Sequence, residues 1–373
     1  MEIVELTLNG YRNYLAEKAI FNDGVNVICG RNAQGKTNLI EAVFYLATGR
    51  SFRSAADKDL INFDCDLALI QAKIISSGRQ QTLEARLLRG RRRVFIANDV
   101  KLKSAAELSG RLTAVEFGPD DLNMIKEGAA IRRKLMDNCL SQLRPGYFTA
   151  LTEFNKLYEN KTRILRDHFE KPSLLDLLDD FNTRLAEQNV KLISYRADFA
   201  KKLSHKASQI HKEFSGGSEA LTINYKTIND ISAADMSKDE ILDELINHQK
   251  EKYQAELRSG LCLSGSHKDD LVIEINGIPA RKFASQGQAR TASISIKLAE
   301  REIHYENKGE YPILLLDDVL SELDSVRRSY VLGKIINGQV FITCCDEDVA
   351  NDIYDSKIIN VSSGKISATP GEE

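Results

Sequence analysis

The sequence predicts an α/β fold in which one domain, made from the first third and last quarter of the chain, is interrupted by a mostly helical lobe. Three observations predict it. A short apolar run, "GVNVICG" (residues 24–30), leads through a loop into the helical spacing of "TNLIEAVFYLATG". A second apolar run, "YPILLLDDV" (residues 311–319), ends in paired acids. Between them, from Ala129 to Ser215, apolar residues recur at helical intervals among many charges and few glycines.

Taken in order, "EIVELTLN" (residues 2–9) alternates like a strand, and "GVNVICG" reads as a buried strand running into a loop. The next helix puts Leu39, Ile40, Val43, Phe44 and Leu46 on one side and stops at Gly49. "DLALIQAKII", "TLEARLLR" and "RVFIAND" read as an antiparallel set joined by short turns. The texture turns helical beyond Phe117. "SLLDLLDDFNTRLAEQNVKLISYRADFAKKL" has apolar spacing near 3.5 but spans too few heptads for a long coiled coil, so packed antiparallel helices are expected. "SGGSEALTINYK" interrupts with a loop and strand, and "KDEILDELINHQKEKYQAEL" resumes helix. Strand texture returns at Gly265, followed by the helix of "FASQGQARTASISIKLAE" and the strand of "GQVFITCCD". The expected division is 1–116 and 290–373 for the α/β domain and 117–289 for the lobe.

The 373 residues suffice for about two domains, and 42% hydrophobic with 28% charged residues is ordinary globular composition. A net charge of −3 means that any nucleic-acid contact must come from local basic patches. The six cysteines (Cys29, Cys65, Cys139, Cys262, Cys344, Cys345) form no C-x-x-C pair and read as reduced thiols, with adjacent Cys344 and Cys345 buried in a strand. The N-terminal "MEIVELTLNGYRNY" does not read as a signal peptide, and no stretch reaches a membrane span; a cytoplasmic protein without a membrane partner is expected.

"GRNAQGKT", Gly30 to Thr37, matches the phosphate-loop pattern G-x-x-x-x-G-K-[ST] in its strand–loop–helix context. Its glycines let the backbone of Gly30, Arg31, Asn32, Ala33, Gln34 and Gly35 turn N–H groups toward ATP phosphates, and the helix dipole adds to them. Lys36 would reach the β- and γ-phosphates, and the Thr37 hydroxyl would ligate Mg²⁺. The metal needs a carboxylate at a neighbouring strand tip, which "ILLLDD" supplies: Asp317 on the Mg²⁺ side, Asp318 to orient or deprotonate the attacking water. Asp324, closing "SELD", would cap the following helix or reach across an interface. The helix of Ser285, Gln286, Gly287 and Gln288 opens without an acid, a start that suits an anion.

"EARLLRGRRRVFIANDVKLK" gathers Arg86, Arg89, Arg91, Arg92, Arg93, Lys101 and Lys103. On a surface hairpin these form either a strip for DNA phosphates or a solvated, charge-protected edge. "IRRK" (residues 131–134) is a second candidate patch. Neither is interleaved with exposed aromatics, so base stacking is not expected.

The order of these motifs resembles that of ABC-type ATPases, SMC-like proteins included. Over its whole length the chain is similar to the RecF family of bacterial recombination and repair proteins. The motifs that carry this are "YRNY", "GRNAQGKTNLIEAVFYLATGRSFR", "VEFGPDDLNMIKEGAAIRRKLMD", "GSHKDDL", "FASQGQARTASISIKLAE" and "PILLLDDVLSELD". The resemblance implies an ABC-type ATPase head with an inserted helical lobe. It places Arg12 near the phosphates, adds Asn38 to the loop site, and gives Ser285, Gln286, Gly287, Gln288 and Asp324 to ATP held by a second copy. It further implies a weak DNA-stimulated ATPase that dimerises on ATP and binds single- and double-stranded DNA, gap junctions included. Its roles would be recombinational repair, replication and SOS induction, loading recombinase with RecO- and RecR-type partners. This chain departs from the family in Gly265-Ser266-His267-Lys268-Asp269-Asp270, where Gly-Pro-His-Arg-Asp-Asp is commoner, leaving His267 as a turn residue or a contact. Asp318 stands where ABC proteins carry glutamate, no switch histidine follows "FIT", and Gln71 and the "VEFGPDD" region both remain candidates for the Q-loop. Two rivals are an ABC transporter's nucleotide-binding subunit, which the Ser-Gln-Gly-Gln start and basic hairpin disfavour, and a nucleotide-gated clamp whose hydrolysis is incidental.

Overall fold

The computed structural model describes residues 1–54, 56–345 and 356–368. They form two compact units: a head of residues 1–123 and 293–373, and a lobe of residues 124–292.

In the head, β1 (Glu2–Tyr11), β2 (Tyr14–Ile20), β3 (Val25–Cys29), β4 (Leu67–Ser76), β5 (Arg79–Leu88), β6 (Val94–Ala97), β7 (Val100–Lys101) and β8 (Ala114–Phe117) come first. Helices α1 (Lys36–Thr48), α2 (Ala105–Leu108) and α3 (Pro119–Leu122) interrupt them. The lobe follows with α4 (Ala129–Leu143), α5 (Pro145–Asp167), α6 (Leu178–Phe214), β9 (Leu221–Lys226), α7 (Lys238–Ser259), β10 (Asp270–Ile275), β11 (Ile278–Pro279) and α8 (Ala280–Phe283). Helix α9 (Gln286–Lys308) starts in the lobe. The head ends with β12 (Ile313–Asp317), α10 (Ser325–Lys334), β13 (Val340–Cys344), β14 (Ser356–Ser362) and β15 (Lys365–Ala368).

Two six-stranded sheets build the head. One is antiparallel, in the order β2-β1-β4-β5-β6-β7; the other runs β15-β14-β3-β13-β12-β8, parallel except at β15. The alternation of β1 and β4 puts Leu6, Leu8, Ala68, Ile70, Ala72 and Ile74 into one core. By contrast β12 and β13 are buried at every residue, as the continuous apolar runs require of parallel strands covered on both faces. Helix α1 touches strands of both sheets, and for that reason its burial extends round the whole helix beyond Asn38 instead of along one stripe. Gln339, fully buried, joins the sheets: its Oε1 accepts from Ile3 N–H (2.7 Å) while its Nε2 donates to the Ile3 (2.8 Å) and Asn22 (2.7 Å) carbonyls.

The head reaches further along the chain than 116, because Ala114–Phe117 pairs with β12 as a strand of the parallel sheet. β2 and the β14–β15 hairpin are not marked by the sequence: β2 is an edge strand that exposes Leu15 and Ile20 beside Lys18, and the hairpin is short and mixes polar residues with Ile359 and Val361.

In the lobe, α5 and α6 pack along one another with α7 against both, as expected of antiparallel helices. Lys161 on α5 and Glu256 on α7, each 1% exposed, pair at 2.7 Å. A larger polar centre forms around the "GSHKDDL" segment. Arg196, from the middle of α6, donates to Asp269 (2.6 Å), Asp137 (2.8 Å), the Ser266 carbonyl (2.7 Å) and Tyr147 Oη (2.9 Å). Asp269 also accepts from Thr227 (2.7 Å) and from the Tyr225 hydroxyl. Burial pushes the Asp269 carboxyl above its ordinary range, while Arg196 and the two hydroxyls pull it back. Asp270 takes Arg132 as a bidentate partner at 2.7 and 2.9 Å.

This centre explains the segment's residues. Gly265 has φ 130°, and a Cβ there would lie 2.9 Å from the Asn189 side chain. Ser266 N–H donates to Asn189 Oδ1 at 2.7 Å, a bond that proline in its place could not make. His267 is a packing residue. It lies 4.7 Å from the Tyr158 ring, its Nε2 is 2.9 Å from the Cys262 carbonyl, and burial lowers it to about 4. Since the folded value lies below the ordinary 6.5, the folded state resists protonation. The associated stability is complete above pH 6.5 and lost as pH falls toward 4. The unfolding free energy from urea titration is therefore expected to fall less between pH 7 and pH 5 for His267→Phe than for the parent, by about 2 kcal/mol.

Candidate functional site

The chain leaves β3 at Cys29, turns through residues 30–35 and enters α1 at Lys36. Gly35 adopts φ 123°, and a Cβ there would meet the Asn13 Nδ2 at 2.7 Å and the Tyr14 hydroxyl at 2.9 Å. That crowding reflects a brace. Asn13 Nδ2 donates to the Gln34 carbonyl and Tyr14 Oη to the Gly35 carbonyl, while Asn13 Oδ1 accepts from Asn38. From the other side the β14–β15 turn holds Gln34, through Ser363 N–H to Gln34 Oε1 (2.6 Å) and Gly364 N–H to its carbonyl (3.1 Å).

Lys36, 7% exposed, turns its ammonium into the loop, donating to the carbonyls of Gly30 (2.5 Å) and Arg31 (3.0 Å) and to Cys345 Sγ (3.4 Å). Two neighbouring parallel strands, β12 and β13, bring acids and a hydroxyl to the same end of the sheet. Asp317 Oδ1 accepts from both Thr37 Oγ1 and Thr343 Oγ1, each at 2.9 Å. Thr343 in turn accepts from Asp318 N–H at 2.9 Å. Burial raises the Asp317 pKa; the two hydroxyls and the charge of Arg53 oppose the rise. Asp318 holds φ 55°, a left-handed conformation, with its carboxylate 3.0 Å from Ser321 Oγ.

Asn32, Ala33, Gly35, Lys36, Thr37, Asn38, Arg53, Asp317, Asp318 and Thr343 line a cavity of about 450 Å³. The structure thus gathers the loop, both acids, Thr343 and one residue not expected there, Arg53. Arg53 sits on the segment after α1 and donates to Asn38 Oδ1 (3.0 Å); nothing in its local sequence marks it as a neighbour of the loop. Thr343 stands, with Cys344, where the strand "FIT" offers no switch histidine. Cys345, expected to be buried with Cys344, is exposed because it lies past the end of β13, and its thiol donates to Asn32 Oδ1 at 2.8 Å. Cys29 and Cys344 are buried with sulfurs 3.2 Å apart.

Arg12 is not on the cavity wall. Its guanidinium clasps Glu41, one turn along α1 from Thr37, at 2.9 and 2.8 Å, and also reaches Ser54 Oγ and the Asp59 carbonyl. Glu41 is fully buried and takes Tyr11 Oη (3.0 Å) and Ser51 Oγ (2.5 Å) as well, so the ion is enclosed by donors. Gln71 lies in β4 and donates to Glu84, away from the cavity lining.

In the lobe, Ser285 and Gln286 are exposed at the start of α9. Ser285 Oγ accepts from Gln288 N–H (3.2 Å) and Gln288 Oε1 from Ser285 N–H (2.9 Å), a reciprocal cap. In the head, Asp324 caps α10, accepting from Arg327 N–H at 3.0 Å.

The basic strip is a β5–β6–β7 edge, but its arginines differ. Arg91, Arg92, Lys101 and Lys103 are exposed. Arg89 is exposed as well but donates to the carbonyls of Cys65 and Asn62 (2.9 Å each), and half-buried Arg93 donates to Asp57 (3.1 Å). On the loop that Arg89 holds stands Phe63, 97% exposed, so an aromatic does accompany the strip. In the second patch Arg132 is 2% exposed and paired with Asp270, while Lys134 is exposed.

Residues 2–368 match the family model described as the RecF/RecN/SMC N-terminal domain. The DNA replication and repair protein RecF of Acetivibrio thermocellus is 38% identical over 368 residues, 98% of this chain and 99% of that protein. The chain belongs to the RecF family. Two solved structures of the recombination mediator RecF in the RecFOR pathway agree with this RecF-type fold. The ATPrS form has a TM-score of 0.91 and the ATP form 0.87; each is 34% identical and covers 98% of this chain, over 98% and 97% of theirs. The RecF-type head is accordingly an ABC-type α/β domain. Among the described residues no helix is long and apolar enough to cross a membrane.

Proposed function

We propose that this chain is a DNA-binding ATPase whose nucleotide joins two copies into a clamp and whose slow hydrolysis releases them. The observation that carries this reading is the Thr37–Asp317–Thr343 cluster beside the loop ammonium of Lys36. Hydroxyl and carboxylate oxygens 2.9 Å apart are a hard donor set suited to Mg²⁺, with Thr37 and Asp317 as its holders. Such an ion would neutralise phosphate charge and relieve the burial that raises Asp317. The loop N–H groups from Gly30 to Asn38 and the Lys36 ammonium bind the phosphates. Asp318 orients or deprotonates water. Arg12 acts behind the site, fixing α1 through Glu41.

Ser285 to Gln288 and Asp324 serve the nucleotide of the second copy. Exposed Arg91, Arg92, Lys101 and Lys103 supply backbone contacts to single- or double-stranded DNA, gap junctions included, while Arg89 and Arg93 hold the hairpin in shape. Family membership supports a cytoplasmic role in recombinational repair, replication and SOS induction, loading recombinase with RecO- and RecR-type partners.

Sedimentation of the parent and of Asp318→Asn, with and without Mg-ATP and a short duplex, tests this. Asparagine tolerates the φ of 55° at this position, so the variant removes the base without straining the turn. Hydrolysis is expected to drop by about a hundred-fold or more and the ATP-bound dimer to persist. Ser285→Arg is expected to abolish the dimer while leaving ATP bound. A monomer at saturating ATP would refute the clamp; dimer release by Asp318→Asn at the parent's rate would make hydrolysis incidental.

A further inference from the structure

The amide of Gln288 is engaged at both ends. Its Oε1 closes the cap on Ser285 N–H, and its Nε2 donates to Glu219 Oε1 at 2.8 Å. The other Glu219 oxygen lies 2.9 Å from Nε2 of His211, a fully buried residue near the end of α6. Burial lowers the His211 pKa, so near neutrality the ring is uncharged and donates its Nε2–H to the carboxylate. Glu219 is itself fixed by backbone on both sides. Its N–H donates to Ser215 Oγ (3.3 Å), and the next residue exchanges bonds with Asn276, Ala220 N–H to Asn276 Oδ1 and Asn276 N–H to the Ala220 carbonyl, both at 2.8 Å.

A glutamine amide can be turned over with little change in shape, exchanging donor for acceptor. A carboxylate only accepts. Glu219 therefore dictates which end of the amide faces it, and that choice points Oε1 at Ser285 N–H. With Gln288 held inward, Ser285 and Gln286 are the exposed side chains of the segment, and the Ser285 hydroxyl, an acceptor within the cap, keeps its own proton for an outside acceptor.

We infer that Glu219, anchored by His211, is a positioning residue for the Ser285–Gln288 segment: it sets the Gln288 amide so that Ser285 faces the second copy's nucleotide. This rests on the reading above that the segment acts across a dimer. No role for the "SGGSE" turn was legible in the sequence, because its partners lie 8 and 69 residues away.

The test compares Glu219→Ala, Glu219→Gln and Ser285→Arg in the full chain. ATP affinity of dilute monomer is measured with a fluorescent ATP analogue, and dimer formation by sedimentation across protein concentration with Mg-ATP. Glu219→Ala should bind nucleotide like the parent but need about ten-fold more protein to dimerise, the scale of one charge-assisted hydrogen bond. Glu219→Gln can still accept from Gln288, and with the other ring tautomer it can donate to His211, so it should stay within about three-fold of the parent. Equal losses in both Glu219 variants, or parent-like dimerisation of Glu219→Ala while Ser285→Arg fails, overturn the positioning role and leave the clamp standing. Parent-like dimerisation of Ser285→Arg overturns the clamp itself. Should Glu219→Ala fold poorly, Gln288→Met removes the same bond with similar volume, and its unaltered dimerisation would equally overturn the inference.

Discussion

Lys36→Ala is expected to lower nucleotide affinity by about a hundred-fold, more than any other single change in the head, without unfolding it. The side chain is 7% exposed and its ammonium already lies against loop carbonyls. A phosphate arriving there meets a charge held in place by the protein, and a hydrogen bond between such charged partners is worth about 1.5–3 kcal/mol. Alanine is a good helix former at the first position of α1, and the brace from Asn13, Tyr14 and the β14–β15 turn does not involve Lys36, so the loop should keep its shape. Lys36→Arg should not restore binding fully, because a guanidinium spreads over a plane the charge that the ammonium concentrates on one nitrogen between the Gly30 and Arg31 carbonyls. Titration with a fluorescent ATP analogue, alongside thermal unfolding of the same samples, separates the two effects. Parent-like affinity in Lys36→Ala would remove the loop from the nucleotide site.

Arg196→Ala is expected to destabilise the lobe by about 3–5 kcal/mol, the cost of breaking a buried pair and leaving its partner charged. Asp269 has no exposure at all, and Arg196 supplies it with a bond of 2.6 Å while also holding Asp137 and the Ser266 carbonyl. The same removal unties α4, α5, α6 and the segment before β10, which meet at this guanidinium. Asp269→Ala should cost a similar amount. The double variant should cost clearly less than the sum, since each single change already forfeits the shared interaction. Urea unfolding gives the three values, and hydrogen exchange in α4, α6 and β9 locates the loss. Additive costs would show that the two residues act separately.

Local rules made much of the head legible. The 2.0 period of β1 and β4, the all-apolar runs of β12 and β13, and the glycine-flanked loop before α1 are written in consecutive residues, because strand alternation and φ-permissive turns depend on near neighbours. The same is true of the cap at Asp324, which lies three residues from the Arg327 N–H it satisfies. The edge strands fared worse. β2 and β14–β15 carry mixed, short patterns, and they became strands because β1 and β3 offered unpaired edges to them.

The arginines show where local rules stop. Nothing in the residues next to Arg12, Arg93, Arg132 and Arg196 names the carboxylate that each will meet. The structure closes Arg12 on Glu41, 29 residues on, Arg93 on Asp57, 36 residues back, Arg132 on Asp270, 138 residues on, and Arg196 on Asp269, 73 residues on. A charge taken out of water must find an opposite charge or several hydrogen-bond partners, and only folding decides which distant carboxylate arrives. Sequence by itself thus determined the type of head, its phosphate loop and the acids at the strand tip. The tertiary structure decided which cations remain exposed, that Arg53 and Thr343 join the cavity beside the loop, and that Glu219 meets Gln288 at the start of α9. Those outcomes turn on burial and on contacts between remote residues, which no periodicity records.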